Sequence, residues 1–384
     1  MKNGVNNMIN ILIVSNAFQN GGIANLFYNI TKNCEREKYH FDYLNTLSLN
    51  QNLENEVFQK YKKMGSKRYI ISSNNRNKVI CTLQEIIKIH RFFCEKSMKY
   101  DCVHVNQCKY SMFVLLMAKI KKIPVRIIHA HTVPDPDEKT CWKSKIYNTI
   151  EIRANKILAT HRIGCSKQAC EFLFGIKNRN FQVLYNGIDM KKFYRQNYEY
   201  KKLVKKYDIN KNVYNFIFVG RFSEQKNPLY LLKVFKFILD KYPDACLRLV
   251  GQGELESEMK KLIAQLDLNR QVQFFPHDSN VAELLMVSDY FIVPSKYEGL
   301  GIVFIESQAM ELETFSSDRV PEEAQLGLMH RIELFDRPED YAKEVIRFIE
   351  HPCILKMDLA MKEKYDINKN VNILKNIYKG DMKC

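Results

Sequence analysis

The chain has 384 residues, of which 46% are hydrophobic and 27% charged, so it is long enough for two domains and too apolar to be mainly disordered. Its 59 Lys and Arg residues against 43 Asp and Glu give a net charge of +16, which favours anionic partners such as nucleic acid, anionic lipid or phosphorylated small molecules. The 11 cysteines include no C-x-x-C pair, and no run of about 18 apolar residues or signal-peptide pattern is present, so we expect a cytoplasmic protein with reduced thiols.

Strands and helices alternate through the first half of the chain. The apolar run 9–16 predicts a strand, and Gly21 and Gly22 then precede a helix whose apolar residues recur every three or four positions. Further strands are expected at 41–47, 67–73, 101–107 and 124–132, with helices at 79–96 and 110–123. This alternation is typical of a parallel sheet with helices on both faces.

The same alternation restarts in the second half. Residues 156–175 predict a strand, a turn and a helix, 181–189 another strand, and the charged segment 197–212 a solvated helix or linker. From residue 215 the strands "NFIFVG", "CLRLVG", "QVQFFPH" and "YFIVPS" alternate with helices, and helices are expected again at 341–352 and 369–380. We predict an α/β fold with two Rossmann-like doubly wound sheets, in domains 1–185 and 186–355, followed by closing C-terminal helices over 356–384.

Ligands of such folds bind beyond the carboxyl ends of the strands, so two facing domains would place the site in a central cleft. One strand end in the second half carries Gly220 and Arg221, and Lys226 follows shortly before a helix that begins at Asn227-Pro228. Fixed cations beside a helix N-terminus suit a phosphate or diphosphate. Two unrelated surface cations on a loop are the alternative interpretation.

The stretch "YEGLGIVFIE" places two glutamates in an apolar neighbourhood. Glu298 falls in the loop after a strand, and Glu306 about one turn into the next helix. A carboxylate near a helix N-terminus gains roughly 0.3–1 kcal/mol, so Glu306 alone is compatible with a structural role. Glu298 gains nothing from such a position. The two acids therefore indicate a polar ligand at this strand end.

Several motifs in order resemble the retaining, nucleotide-sugar-dependent glycosyltransferases of family 4, which have the GT-B fold. The motifs are "VGRFSEQKNP", "LVGQGELE" and "PSKYEGLGIVFIESQAM", preceded by "GCSKQACEFLFG" and "VLYNGIDMKKF". "NGGI" and "RIIHAHT" fit the first domain of that family. The resemblance covers roughly residues 10–350 and is strongest to the branch that builds bacterial capsules and exopolysaccharides.

The resemblance implies a role for each matching residue. Arg221 and Lys226 would bind the donor diphosphate, Glu306 would accept hydrogen bonds from the ribose hydroxyls, and Glu298 would hold the donor sugar. The remaining implied contacts are backbone amides or come from the first domain: Gly220, Gly299 and Leu300 beside the donor, Gly21 and Gly22 near its phosphates or the acceptor, and His131 on the transferring sugar. The catalytic set is therefore Glu298, His131, Arg221 and Lys226.

The family generally works without a metal, and no Asp-x-Asp motif lies at these strand ends. Asp135 and Asp137 form the nearest match, but the prolines around them indicate a solvent-facing or acceptor-side loop. We therefore expect no metal and no cofactor. UDP is the family's commonest nucleotide. Retention is implied by the family, and we favour attack on the same face of the sugar, because a double displacement needs a carboxylate on the opposite face.

Two residues depart from the family pattern. Glu311 and Glu313 stand where the family usually has Gly and Pro, and a left-handed conformation costs a non-glycine residue roughly 1 kcal/mol. Two extra acids near the donor would also weaken diphosphate binding. A catalytically weak or inactive partner subunit of a polysaccharide assembly complex therefore stays the alternative to an active hexosyltransferase.

Other classes fit less well. A nucleic-acid binder would suit the charge, but no recognition motif or basic–aromatic platform is present, so no nucleic acid is expected as partner. An epimerase would need no lipid acceptor, and a phosphorylase would need a lysine-bound cofactor that the sequence does not indicate. The basic segments 61–68 and 119–126 suit peripheral docking on an anionic membrane that holds a lipid-linked acceptor, although a solvated face explains them equally well.

Overall fold

A computed structural model describes residues 8–16, 22–46, 58–73, 77–131, 133, 142–175, 180–352 and 354–381. These residues divide into two compact units. Unit 1 contains the described residues up to Val133, those of 142–187, and the C-terminal residues from Ile367. Unit 2 contains Ile188–Asp366. The division falls two residues beyond the predicted boundary, and the predicted closing segment 356–384 splits between the units at residue 366.

Unit 1 is built on a seven-stranded parallel sheet in the order β3-β2-β1-β4-β5-β6-β7. Its strands are β1 (Ile9–Ser15), β2 (Tyr39–Asn45), β3 (Arg68–Ile70), β4 (Cys102–Asn106), β5 (Val125–Ala130), β6 (His161–Gly164) and β7 (Gln182–Val183). Its helices are α1 (Gly22–Asn33), α2 (Lys78–Lys96), α3 (Ser111–Ile120), α4 (Trp142–Leu158) and α5 (Lys167–Phe174). The central residues of β1 are fully buried, as expected of a strand covered on both faces.

Unit 2 is built on a six-stranded parallel sheet in the order β10-β9-β8-β11-β12-β13. Its strands are β8 (Asn215–Val219), β9 (Cys246–Val250), β10 (Val272–Phe275), β11 (Tyr290–Val293), β12 (Glu313–Ser317) and β13 (Met329–Ile332). Its helices are α6 (Tyr200–Lys206), α7 (Pro228–Lys241), α8 (Glu256–Gln265), α9 (Val281–Met286), α10 (Ile302–Ala309), α11 (Pro338–Glu350) and α12 (Leu359–Lys364). The last helix of the chain, α13 (Ile367–Tyr378), returns to unit 1.

The predicted fold class, with two doubly wound parallel sheets, is confirmed. Two local predictions are wrong. Residues 156–158, predicted as the start of a strand, end helix α4, which the sequence analysis did not identify. The strand predicted at 181–189 is only the two residues of β7, and Ile188 instead forms an isolated bridge with Asp366.

The order of the strands reverses beside β1 in unit 1 and beside β8 in unit 2. In unit 2 the chain continues from β8 to β9 on one side of this position and from β11 to β12 on the other, and ligands of open α/β sheets bind at such a position. In unit 1 the corresponding strands are β1 and β4. Each unit therefore has one preferred binding edge, at the carboxyl ends of its strands.

Candidate active site

The loop after β8 brings Gly220 and Arg221 to the carboxyl edge of the unit 2 sheet. It packs backbone against backbone on the loop after β9: Phe222 N–H donates to the carbonyl of Gln252 at 3.0 Å. A Cβ added at Gly251, whose φ is +152°, would lie 2.0 Å from the Gly220 carbonyl oxygen. Only glycine fits at position 251, which explains the first glycine of the motif "LVGQGELE".

Lys226 and Glu298 form a buried ion pair at this edge. The Lys226 Nζ contacts Glu298 Oε1, and the two side chains are only 15% and 5% exposed. Ser295 Oγ donates to the same carboxylate oxygen at 2.7 Å, and Gln225 Nε2 approaches Oε2 at 3.5 Å. The lysine ammonium also lies 5.6 Å from the centre of the Phe304 ring. Two loops 72 residues apart in sequence thus meet in one charged cluster.

The backbone fixes the arrangement of these two loops. Lys296 N–H donates to the Gln225 carbonyl at 2.8 Å, and Gln225 Nε2 donates to the Tyr297 carbonyl at 3.1 Å. Helix α10 begins directly after Gly301, which has φ of +76° and whose added Cβ would meet the Phe304 ring at 2.6 Å. Leu300 is buried and Gly299 lies between it and Glu298. Ser295 and Gln225, which orient Glu298, were not predicted from the sequence.

Arg221 lies apart from this cluster in the structure. Its guanidinium pairs with Glu254 at 3.2 Å, and both side chains are more than half exposed. An exposed pair of this kind contributes roughly 0–1 kcal/mol, so Arg221 can leave Glu254 for an anionic ligand at little cost. Lys226 is therefore fixed by its buried contacts, whereas the exposed Arg221 side chain is held only by a weak ion pair.

Glu306 lies in the middle of α10 and is partly exposed. Its surroundings remove water from the carboxylate, which raises the pKa of Glu306 to about 7, and the positive charge of Lys192 opposes this only in part. Partners that donate hydrogen bonds would stabilise the charged form of this carboxylate. Adjacent hydroxyls of a ligand would supply them.

Glu311 and Glu313 lie at the opposite, amino edge of the sheet. Glu311 follows α10 and Glu313 begins β12, whereas Glu298 and Gly220 follow the carboxyl ends of their strands. The five residues of β12 span about 16 Å between the two edges. Glu313 Oε1 pairs with His330 Nε2 at 2.6 Å. Both acids therefore lie at the edge of the sheet opposite Glu298 and Gly220, which argues against the expectation that they weaken diphosphate binding.

The predicted conformation at Glu311 does occur. Its φ is +63°, in the left-handed region that glycine favours. A cavity of about 740 Å³ opens at the same amino edge and is lined in part by Glu311 and Glu313. None of the predicted site residues lines it, so its size does not identify the active site.

His131 lies at the carboxyl edge of the unit 1 sheet, directly after β5. Its Nε2 is 2.7 Å from Asn106 Oδ1, and its ring is 3.9 Å from that of His129. Burial lowers the pKa of His131 to about 3, so the ring is neutral at pH 7. Gly22 begins α1, and Gly21 lies outside the described residues.

His104 and His129 extend this row of rings into the core. His129 Nδ1 lies 3.1 Å from His104 Nε2, whose ring contacts the Tyr378 hydroxyl of α13 through Nδ1 at 2.9 Å. Burial lowers the pKa of both rings well below the usual histidine value. Tyr378 is 274 residues from His104, so this contact is not evident from the sequence.

Within the described ranges, no group of three His, Cys, Asp or Glu side chains is placed to hold a metal ion. Metal independence stays a prediction. No helix in the part of the chain that the structure covers combines the length and apolarity needed to cross a bilayer. Asp135 and Asp137 lie outside the described residues.

Both halves of the chain match known protein families. Residues 199–366 match the family described as Glycosyl transferases group 1, and residues 20–192 match Glycosyltransferase Family 4. The glycosyltransferase EpsF of Bacillus subtilis is 26% identical over 381 residues, which is 96% of each chain. An Escherichia coli protein named UDP-Gal:alpha-D-GlcNAc-diphosphoundecaprenol alpha-1,3-galactosyltransferase is 26% identical over 241 residues, 61% of each chain.

The fold is shared with solved structures. The Anabaena protein HepE in complex with UDP and glucose superposes with a TM-score of 0.74 at 14% identity, over 97% of this chain and all of that one. At this identity the likeness concerns the fold. The family match and the fold match cover both units.

Proposed function

Because this chain is a nucleotide-sugar-dependent glycosyltransferase of family 4 with the GT-B fold, we propose that it transfers a hexose from a UDP-sugar, with retention, to a lipid-linked or glycan acceptor during surface polysaccharide assembly. The observation that carries the donor assignment is the buried Lys226–Glu298 pair at the carboxyl edge of the unit 2 sheet. UDP and a lipid diphosphate acceptor are named for similar proteins.

Lys226 and Arg221 bind the donor diphosphate. Loss of a nucleoside diphosphate leaves positive charge on the sugar and concentrates negative charge on the leaving group. Glu298 and the Phe304 ring hold the Lys226 ammonium in place, where it would contact the leaving group. Arg221 would exchange its contact with Glu254 for one with the phosphates. Lys226 would therefore stabilise the leaving group from a fixed position, and Arg221 would move onto the bound ligand.

Glu298 binds the hydroxyls of the donor sugar. Its Oε1 already accepts from Lys226 and Ser295, while Oε2 has only a long contact with Gln225. A carboxylate oxygen accepts two or more hydrogen bonds, so Oε2 retains capacity for a ligand. The backbone amides of Gly299 and Leu300 follow it, and Gly220 leaves room for the diphosphate beside its loop.

Glu306 binds the ribose hydroxyls of the nucleotide. Its carboxylate lies in surroundings that exclude water, and two adjacent hydroxyls would satisfy both oxygens and lower its pKa again. Nucleotide binding would therefore weaken as the pH falls below about 7, because protonation of Glu306 removes half of its acceptors.

Retention follows from attack by the acceptor on the same face of the sugar that the diphosphate leaves. In this step the acceptor oxygen forms a bond to the anomeric carbon as the bond to the diphosphate breaks. The acceptor proton passes to the departing phosphate oxygen, so charge and atoms balance without a protein base. The roles that the resemblance implies for His131, Gly21 and Gly22 stay predictions.

The donor assignment is tested by calorimetric binding of UDP, GDP and ADP, together with hydrolysis of the corresponding sugar donors. We expect UDP to bind selectively, Glu306→Ala to weaken it by at least tenfold, which is about 1.4 kcal/mol, and wild type to hydrolyse a UDP-sugar slowly. Glu313→Ala is the matched control, because it removes an acid from the opposite edge of the same sheet. Failure of all three nucleotides to bind at millimolar concentration would refute the donor site.

Unit 1 carries a surface suited to an anionic membrane. Helix α2 exposes an apolar stripe spaced four residues apart, with Val79, Leu83 and Ile87 between 55% and 69% exposed. Ile120 of α3 is 58% exposed, and α3 packs beside α2. Exposed lysines of the two basic segments lie on the same unit: Lys62, Lys63, Lys67, Lys119 and Lys122. We propose that this surface holds the enzyme at a bilayer containing its lipid-linked acceptor.

The two arginines in these basic segments have other roles. Arg126 donates to the carbonyls of Leu158 and Ile123, and Arg68 donates to Asn45 Oδ1. Vesicle flotation tests the membrane contact. The double variant Leu83→Ser/Ile87→Ser should bind vesicles of anionic phosphatidylglycerol less than wild type does, whereas Ile354→Ser, a 91% exposed isoleucine of unit 2, should not. Equal binding of wild type to neutral and anionic vesicles would argue against the basic contribution.

A further inference from the structure

The cavity of about 740 Å³ at the amino edge of the unit 2 sheet carries this inference. Its lining residues all belong to unit 2, and most of them come from the segments that lead into strands β8, β9, β11 and β12. Small-molecule sites in proteins are commonly about 300–1,000 Å³ in volume and combine aromatic surface with a few polar groups. The cavity is therefore large enough for a ligand, and its lining indicates which kind.

Three tyrosines form an aromatic wall of this cavity: Tyr214, Tyr242 and Tyr290. The Tyr214 ring lies 4.8 Å from the Tyr242 ring, edge to face, and 5.6 Å from the Tyr290 ring. These contacts hold Tyr214 in place, yet its side chain is 37% exposed. A fixed aromatic face carries partial negative charge, so it packs favourably against the C–H groups on the face of a sugar ring.

The charges around the cavity nearly cancel. Three cationic and four acidic side chains line it. A fourth cation, Arg248, is buried behind the lining: its Nη2 donates to Asn215 Oδ1 at 2.9 Å, and the Asn215 backbone N–H donates to Asp289 Oδ2 at 2.8 Å. The Arg248 Nε and Nη1 atoms have no hydrogen-bond partner among the described residues. A phosphate would meet repulsion as well as attraction here, and so would a polyamine, which favours a neutral ligand.

The acids offer more hydrogen-bonding capacity than the cations do. Lys241 already pairs with Glu350 at 2.7 Å, and Arg195 Nη1 donates to the Met310 carbonyl at 3.3 Å. Asp244 and Asp289, by contrast, are exposed. A carboxylate has about four acceptor sites, so these two side chains can accept from a ligand that donates several hydroxyl groups.

We propose that this cavity is a second carbohydrate site, which stacks a neutral sugar ring on Tyr214 and accepts hydroxyl hydrogen bonds at Asp244 and Asp289. The inference rests on the proposed function for the source of the sugar, because an enzyme that extends a surface glycan meets that glycan as acceptor or product. Strand β12 separates the cavity from the proposed donor site by about 16 Å, so both sites can be filled at once. A glycan held here would raise the local concentration of chain ends.

Saturation-transfer difference NMR tests the site. The probes are short neutral oligomers of glucose, galactose and N-acetylglucosamine, with UDP in excess to fill the donor site. We expect at least one of them to bind wild type and Tyr214→Ala to weaken its Kd by roughly tenfold or more, because a central aromatic contact is lost. Asp244→Asn should weaken it by roughly twofold to tenfold, since one acceptor oxygen becomes a donor.

Tyr194→Ala is the matched control. Tyr194 is a tyrosine of unit 2 with 47% exposure that does not line the cavity, so its loss should leave oligosaccharide binding unchanged. A cooperative thermal unfolding transition, together with a Kd for UDP within about twofold of wild type, would show that each variant folds.

Three results would overturn the inference. They are failure of every neutral oligomer to bind wild type, binding that Tyr214→Ala leaves unchanged, and tighter binding of anionic hyaluronan oligomers than of any neutral one. The proposed function fails separately: a chain that binds neutral oligomers through Tyr214 but neither binds UDP nor hydrolyses a UDP-sugar would refute the transferase and leave the carbohydrate site standing.

Discussion

The two edges of the unit 2 sheet both carry glutamates, but in different surroundings. At the carboxyl edge Glu298 is 5% exposed and is held by Lys226 and Ser295, and in the helix that leads away from this edge Glu306 has a raised pKa. At the amino edge Glu311 is exposed and in a left-handed conformation. The sheet thus carries a buried, paired carboxylate at one edge and an exposed one at the other. Burial together with a neighbouring cation, and not the presence of acids, distinguishes the edge at which we propose that the donor binds.

The largest expected effect comes from breaking the buried pair. Lys226→Met leaves Glu298 as an unpaired buried charge, which should lower the free energy of unfolding by about 2–4 kcal/mol. Donor hydrolysis should fall at least about 100-fold, because the leaving diphosphate loses its fixed cation. Denaturant unfolding and a hydrolysis assay measure the two effects.

A second variant separates stability from catalysis. Lys226→Met/Glu298→Gln has no unpaired charge, so it should recover much of the lost stability without recovering activity. Lys241→Met is the control at the amino edge: Lys241 pairs with Glu350 at 2.7 Å, and both side chains are more than one third exposed. Its loss should cost less than about 1 kcal/mol. Equal effects of Lys226→Met and Lys241→Met would contradict the distinction between the edges.

Glu306→Gln should have a smaller effect that depends on pH. The pKa of Glu306 is about 7 in the folded protein against an ordinary value of 4.5, so the folded state holds this proton more tightly than the unfolded state does. The carboxyl group therefore costs no stability below about pH 4.5, and its cost grows as the pH rises to about 7. We expect Glu306→Gln to unfold like wild type at pH 4.5 and to be more stable at pH 8 by roughly 1–3 kcal/mol.

The same variant should bind UDP more weakly at pH 8, since glutamine offers one acceptor oxygen where the carboxylate offers two. A gain in stability with a loss in affinity is the behaviour expected of a residue kept for a ligand. If Glu306→Gln shifted stability equally at pH 4.5 and pH 8, the raised pKa would not be its cause.

Glu313→Gln should have a smaller effect on stability and on UDP affinity than Glu306→Gln. The carboxylate pairs with His330 at 2.6 Å, and glutamine retains a hydrogen bond to the ring, so the free energy of unfolding should fall by less than about 1 kcal/mol. UDP affinity should stay unchanged between pH 6 and 8, because Glu313 lies at the amino edge. A rise in UDP affinity would mean that this acid repels the donor after all.

The alternation of apolar strands and amphipathic helices was enough to predict that the chain forms two parallel sheets, although β12 and β13 were not predicted. The sequence also located the loops of Lys226 and Glu298, because chemistry-bearing residues at strand ends follow directly from the strand assignment. It did not reveal that these two side chains pair, or that Asn106 faces His131, since such contacts depend on strand order. For a related reason the sequence did not reveal that Glu311 and Glu313 lie at the amino edge: helix α10 carries the chain there from the carboxyl edge.

The smallest expected effect is at Glu311, whose conformation the sequence did predict. Its φ of +63° costs a side chain with a Cβ roughly 1 kcal/mol, whereas glycine adopts it freely. Part of that gain is lost to the greater freedom of glycine in the unfolded chain, so Glu311→Gly should raise the free energy of unfolding by about 0.5 kcal/mol. Glu258→Gly, in helix α8, should lower it by a similar amount. Destabilisation by both variants would show that Glu311 makes contacts worth more than its strain, whereas opposite signs with equal UDP affinity would confirm that this departure from the family pattern affects the fold alone.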